Sequence, residues 1–406
     1  MHKTTEQQNF HVVYLGECGF PFGLANIQRM KLLSKALLDA GAEVTVINRK
    51  GKFDPSEQID LPVEGQHEGI GYVYTSGSIY RPAGFWARNI QKVRGLWREF
   101  WYLRQLRREG CLQAGIISCY HLGQVVLYRF YSLLLGFPVA YNYVEWASAM
   151  QHRRSWKERI NDYVFDHWVV RSMDGAMSIS EVLMKNFQKI APTKAQLKVP
   201  IICDFDKFNR PKKAVDHPYF LYCGALVYRE VIDFLLEAFD QLPNESQAHL
   251  HLVLGGGDQN DYASLQQAIG QCQKADRIHL LHNVPHDEIA DHYLPALALL
   301  IPLRPSLQDA ARFPHKIGEY VATGNPMIST NFGEVAYYFR DEESALIAEG
   351  YEVDQFAAKM QFVLDHPEKA RAIGQRGKAL GLREFNYTSY GHPIKKFLHQ
   401  LQRKAS

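Results

Sequence analysis

Two doubly wound, Rossmann-like α/β domains in tandem are the architecture this sequence predicts, and three observations lead there. Short apolar runs alternate with helical stretches along the whole chain, the pattern of a parallel sheet covered on both faces. At 406 residues the chain has the length of two folding units. Between its halves lies KVPIICDFDKFNRPKK (198–213), rich in Pro and Lys and suited to a linker. The expected domains are therefore 1–203 and 204–390. A terminal helix, 391–406, is expected to pack back toward the first domain.

The first half opens with HVVYLG (11–16), a short apolar strand that runs into the glycine-punctuated loop ECGFPFG. A helix from about Leu24 to Ala40 ends at Gly41, and EVTVIN (43–48) is the second strand. GYVYTS (71–76), AGIISCY (114–120), FPVAYNYV (137–144) and DGAMSIS (174–180) read as further strands. The second half repeats the plan. PYFLYCG (218–224) precedes a helix over 231–242, and HLHLVLGGG (249–257) ends in a glycine cluster. RIHLL (277–281), ALALLIPL (296–303) and PMIST (326–330) complete the set. Tandem domains of this kind are expected to face one another across a cleft at the carboxyl ends of both sheets, where ligands bind.

Hydrophobic residues make up 46% and aromatic residues 12% of the chain, enough for large cores, which excludes a disordered protein. Six scattered cysteines at no metal-ligand spacing point to a reduced compartment. The polar start MHKTTEQQNF lacks the apolar segment of a signal peptide, and no apolar run approaches the roughly 20 residues that span a bilayer. A cytoplasmic protein, or one peripheral on the inner face of the cytoplasmic membrane, is expected. Charge is unevenly divided. Residues 1–203 hold 25 Lys and Arg against 17 Asp and Glu, and the remainder holds 21 against 26. The halves are expected to meet different partners.

The most informative stretch is RFPHKIGEYVATGNPMISTNFGE (312–334). Pro314 suits a helix start, Gly324 a helix stop, and Pro326 forbids continuation. A helix Lys316–Thr323 follows, with Lys316, Glu319 and Thr323 on one face, and then a buried strand Met327–Thr330. A helix N-terminus beside a lysine is a place for an anion. Gly255 to Gly257 are either a plain turn or a backbone cradle for a ligand.

This block, together with YCGALVYREVIDFLLEAF (222–239), LVLGGG (252–257) and GFPFGLANIQR (19–29), resembles the retaining, nucleotide-sugar-dependent glycosyltransferases of the GT-B fold, family-4 type, similar to capsule and surface-polysaccharide sugar transferases. The resemblance spans nearly the whole chain. It implies a nucleoside-diphosphate sugar on the second domain, an acceptor on the first, and no cofactor or metal. No Asp-x-Asp motif is present to chelate a metal on the diphosphate. Glu319 matches the glutamate that bonds the nucleotide's ribose, and Phe313 the aromatic of the same loop. Gly224, Gly255, Gly256, Lys316 and Pro314 complete the implied donor site.

The sequence departs from the family pattern at several places. The earlier glutamate of the donor loop falls on Ala311, with Asp309 or Gln308 as the nearest substitutes. The usual phosphate cations fall on Ala225 and Glu230, with Arg229 and Lys316 as the nearby charges. In the first domain Gly19 matches the loop that approaches the diphosphate. Glu145 stands near the usual histidine and is a candidate for contacting acceptor or sugar, or else a member of a buried ion pair. His121 is a further candidate, and Arg29 reads as a surface residue.

Residues 81–110 carry eight Arg and Lys against two Glu, with Trp86, Trp97, Phe100 and Trp101 interleaved. A basic helix with an aromatic stripe fits contact with a membrane surface. Packing of those aromatics on the sheet is the alternative, and no nucleic-acid module accompanies the patch. The expected activity is transfer of a hexose-type residue from a UDP- or GDP-sugar to a glycan or polyprenyl-linked acceptor. A non-catalytic scaffold of the same fold is the rival. A nucleotide-sugar epimerase is a weaker one, because no carboxylate pair stands near the donor loop.

Overall fold

The computed structural model describes residues 10–16, 18–23, 25–150, 155–282, 284–285 and 288–405, of which 404 and 405 are described by their backbone alone. The chain forms two compact units, Met1–Ile202 with Tyr387–Ser406, and Cys203–Asn386.

In the first unit the elements are β1 (Phe10–Leu15), α1 (Ala25–Asp39), β2 (Ala42–Asn48), β3 (Glu64–His67), β4 (Ile70–Tyr74), α2 (Phe85–Arg108), β5 (Ala114–Ile117), α3 (Leu122–Leu135), β6 (Val139–Tyr143), α4 (Trp156–Val164), β7 (Gly175–Ser178), α5 (Glu181–Ile190) and β8 (Ala195–Lys198). The described strands order as β3-β4-β2-β1-β5-β6-β7-β8, parallel except where β3 pairs with β4. Every residue of β1, β5 and β6 is buried, because helices cover both sheet faces. β3 (EGQH) and β8 (AQLK) have no strand signature in sequence; backbone pairing to β4 and β7 recruits them. The supposed linker begins in the core, with Val199, Ile201 and Ile202 at most 2% exposed.

The second unit holds β9 (Tyr219–Ala225), α6 (Arg229–Asp240), β10 (His249–Gly255), α7 (Gln259–Ile269), β11 (Ile278–His282), α8 (Ile289–Tyr293), β12 (Ala298–Ile301), α9 (Leu307–Ala311), α10 (Lys316–Thr323), β13 (Met327–Thr330), α11 (Gly333–Tyr338), β14 (Leu346–Ala348), α12 (Val353–Asp365) and α13 (Pro367–Phe385). Its strands are all parallel, in the order β11-β10-β9-β12-β13-β14. The order reverses between β9 and β12, so a crevice opens at their carboxyl ends.

The final helix, α14 (Gly391–Ala405), belongs to the first unit. Gly391 lets it approach α1, since a Cβ there would lie 1.9 Å from the Ala36 carbonyl oxygen. Lys395 Nζ donates to the Ala40 and Gly41 carbonyls at 2.8 Å. The return to this unit comes at Tyr387, ahead of the expected residue 391, because Lys35 of α1 lies over the Tyr387 ring. Among the described residues no helix is long and apolar enough to cross a membrane.

Candidate functional site

In the second unit the loops after β9 and β12 bring four charged side chains and one ring together. Asp309, fully buried, is gripped by Arg304, whose Nε and Nη2 donate to its two oxygens at 2.9 and 3.0 Å. The backbone N–H of Arg304 donates to the same carboxylate at 2.9 Å, and Arg312 Nη2 lies 2.8 Å from Oδ1. Arg304 also pairs with Glu230. Both guanidinium groups lie over the Tyr228 ring, Arg312 at 4.4 Å and Arg304 at 5.5 Å from its centre. Such a carboxylate orients both arginines and offsets part of the cost of burying their charge.

Local sequence explains the placement. Ser306 caps α9 by accepting from the Asp309 N–H at 3.2 Å, which turns Asp309 back toward Arg304. Thr330, at the end of β13, both donates to and accepts from the Leu303 backbone, fixing the loop after β12. In α10, Ile317, Tyr320 and Val321 form the buried stripe at helical spacing. Gly324 ends the helix at φ 78°, a left-handed conformation suited to glycine. The Tyr320 hydroxyl accepts from the Cys223 N–H at 2.8 Å and ties α10 to the end of β9.

That tie sets α10, which carries Lys316 and Glu319, against the strand end that carries Gly224. Burial pushes the Cys223 thiol up; Lys316 opposes the shift and Glu319 adds to it, so both side chains act on the residue next to Gly224. Gly224 itself packs on Tyr222, whose ring a Cβ would strike. Gly255 and Gly256 lie exposed with open space where a Cβ would point, and Gly256 adopts φ 72°.

Other expected donor residues have different surroundings. Arg229 is held by Asp233 at 2.7 Å and by Ser264 at 3.2 Å. Phe313 is 2% exposed and stacks on Tyr338 at 5.6 Å and edge-on to Phe385 at 5.5 Å, so it buttresses the loop from the core. Pro314 precedes α10 and accepts from the Ile317 N–H through its carbonyl. Ala311 is fully buried. Asp309 has both oxygens engaged by arginines, which leaves it poorly placed to grip a sugar hydroxyl. Arg304, Arg312 and Tyr228 carry no sequence motif that marks them as members of this cluster. The available signal was the i,i+3 pair Asp309–Arg312 within RPSLQDAAR.

In the first unit the loop after β1 is held open by polar anchors. Asn48 Oδ1 accepts from the Gly19 and Phe20 N–H groups at 2.9 and 3.1 Å, and Tyr74 donates to the Phe20 carbonyl at 2.8 Å. Gly19 has φ 111°, which a side chain would strain. Glu145 follows β6 and is partly buried. In the order β1-β5-β6 the strands leading to Gly19 and Glu145 are roughly 10 Å apart. His121 caps α3, its carbonyl accepting from Gln124 and Val125.

Arg29 is no surface residue: it is 2% exposed and donates to the Pro200 and Val199 carbonyls at 2.7 and 2.8 Å. Burial pulls its guanidinium down to about 10, and its work is to pin the start of the linker.

Residues 204–380, nearly all of the second unit, match the family model of glycosyl transferases group 1. No curated protein matches the sequence. Among solved structures, sucrose-phosphate synthase from Thermosynechococcus elongatus is 19% identical with a TM-score of 0.74, covering 98% of this chain and 100% of that one. The Anabaena protein HepE, solved with UDP-glucose, is 14% identical with a TM-score of 0.69, covering 97% and 100%. A UDP-forming α,α-trehalose-phosphate synthase from Burkholderia xenovorans, solved with glucose-6-phosphate, is 12% identical with a TM-score of 0.67, covering 96% and 100%. The protein therefore has the two-domain α/β architecture of the GT-B fold, with a group 1 glycosyltransferase match on its second unit.

Proposed function

We propose that this protein is a retaining glycosyltransferase that moves a hexose-type residue from a UDP- or GDP-sugar to a glycan or polyprenyl-linked acceptor. The observation that carries the reading is the group 1 match over the unit in which Tyr320 ties α10, the helix of Lys316 and Glu319, to the end of β9 at a topological switch point. The UDP-glucose in HepE and the UDP-forming relative favour a uridine donor. In this reading Glu319 holds the ribose hydroxyls, while Lys316 and the Arg304–Arg312 pair meet the diphosphate. The anomeric carbon–oxygen bond to the diphosphate breaks as the acceptor oxygen bonds on the same face. The departing diphosphate oxygen takes the acceptor's proton. No metal is required, because charge growing on the leaving group meets cations of the chain itself.

The first unit supplies the acceptor side, at a membrane surface. On α2, Phe85, Trp86, Ile90, Val93 and Trp97 are 65–77% exposed, and α3 adds Phe130 and Leu133. The helix buries Gly95, Glu99, Leu103 and Leu106 instead. Exposed tryptophans beside a surplus of arginine suit an anionic lipid interface.

Calorimetric titration with UDP, GDP and their sugars tests the reading. One nucleotide should bind, and Glu319→Ala should weaken it about tenfold or more, the worth of charged hydrogen bonds. Absence of binding to every nucleotide would instead support a scaffold of the same fold, the reading favoured by the buried Ala311 and the engaged Asp309.

A further inference from the structure

A group of imidazoles lies at the other end of the second unit's strands. His249 and His251 occupy alternate positions of β10, so they share one sheet face, and His251 pairs in register with His279 of the edge strand β11. His217, just before β9, lays its ring on His249 at 3.7 Å and parallel to His279 at 5.4 Å. One potential ligand nitrogen from each of His217, His251 and His279 falls within 4.8 Å of the others. We propose that His217, His251 and His279 bind one divalent transition-metal ion of the zinc class, which staples the segment entering the unit to the outer strands of its sheet.

Two features point to a metal and not merely to packed rings. First, both ring nitrogens of His251 are buried without a hydrogen-bond partner among the described residues, which is costly for a polar group and is relieved by coordination. Second, His249 Nδ1 and His279 Nε2 share a hydrogen bond of 2.7 Å, the kind of outer partner that orients a ligating imidazole.

Three imidazoles with an open fourth position suit Zn²⁺, Co²⁺ or Cu²⁺. Tetrahedral coordination at about 2.1 Å puts the nitrogens about 3.4 Å apart. Side-chain rotation therefore has little distance to close. From His251 to Gly255 the strand runs roughly 13 Å, so the ion takes no part at the nucleotide loops.

The test uses the full chain after chelator treatment, titrated with Co²⁺ and then Zn²⁺. One equivalent of Co²⁺ should bind with micromolar or tighter affinity and give a visible spectrum of imidazole coordination, which Zn²⁺ bleaches. His217→Ala and His279→Ala should each weaken binding about tenfold to a hundredfold. His366→Gln should leave it unchanged. His217 precedes the strand and is only half-buried, so its variant keeps the test valid if a strand variant fails to fold. Nucleotide affinity of His217→Ala should equal that of the parent. Failure of the parent to bind Co²⁺, or equal binding by the His217→Ala, His279→Ala double variant, would overturn the proposal.

Discussion

Glu99 in the first unit and Asp309 in the second are both carboxylates without solvent exposure, yet their electrical surroundings are opposite. Asp309 meets two arginines and a backbone N–H within 3.0 Å. Glu99, on the buried side of α2, receives one hydrogen bond, from the Tyr128 hydroxyl at 3.0 Å, and its Oε2 has no partner. Arg49 acts on it only through space, and burial pushes Glu99 up to about 7. One burial surrounds a carboxylate with cationic partners; the other favours a neutral acid. The difference lies in the partners that each fold places within bonding distance, since depth is the same.

Removing the paired carboxylate should produce the largest effect. Asp309→Ala takes the buried carboxylate from Arg312 and leaves Arg304 only the more exposed Glu230, and should cost about 3–5 kcal/mol in denaturant unfolding of the second unit. A loss below about 1 kcal/mol would mean that the arginines relax to solvent at little cost.

The unpaired carboxylate should behave in the reverse sense. Glu99 is raised from its ordinary 4.5, so its contribution is fully present below pH 4.5 and is lost as the pH climbs through about 7. The shift corresponds to about 3 kcal/mol. Glu99→Gln should therefore stabilise the protein at pH 8 by up to that amount, with the advantage vanishing near pH 4.5. Thermal unfolding of both proteins across this range measures it; a variant less stable at pH 8 would show that the ionised carboxylate has a stabilising role.

The smallest stability effect belongs to the opposite face of the same helix. Trp86→Ser with Trp97→Ser should change stability by less than about 0.5 kcal/mol, because the rings are already in solvent. Binding to anionic vesicles should nevertheless fall sharply. Vesicle binding that survives would return α2 to an ordinary, if unusually apolar, surface helix.

Much of this was legible before the structure. The helix Lys316–Thr323, its stop at Gly324 and the strand Met327–Thr330 follow from apolar spacing and from glycine and proline chemistry, all local properties. The electrostatic core of the candidate site was not legible. Arg304 and Arg312 read as two charges in a loop until α9 turns Asp309 between them, and Glu230 joins from another helix. Arg29 likewise reads as exposed until Val199 and Pro200 arrive from far along the chain.

By itself, the sequence determined the alternation of strand and helix, the two-unit plan and the basic aromatic character of α2. These depend on periodicity and composition along a short stretch of chain. Only the tertiary structure decided which carboxylate is paired, that the tryptophans of α2 face outward while Glu99 faces in, and that three histidines from separate strands and loops meet. Electrostatic pairing and burial are set by neighbours through space, whether close in sequence, as Arg304 and Arg312 are to Asp309, or far along the chain, as Glu230 is from Arg304 and Val199 from Arg29.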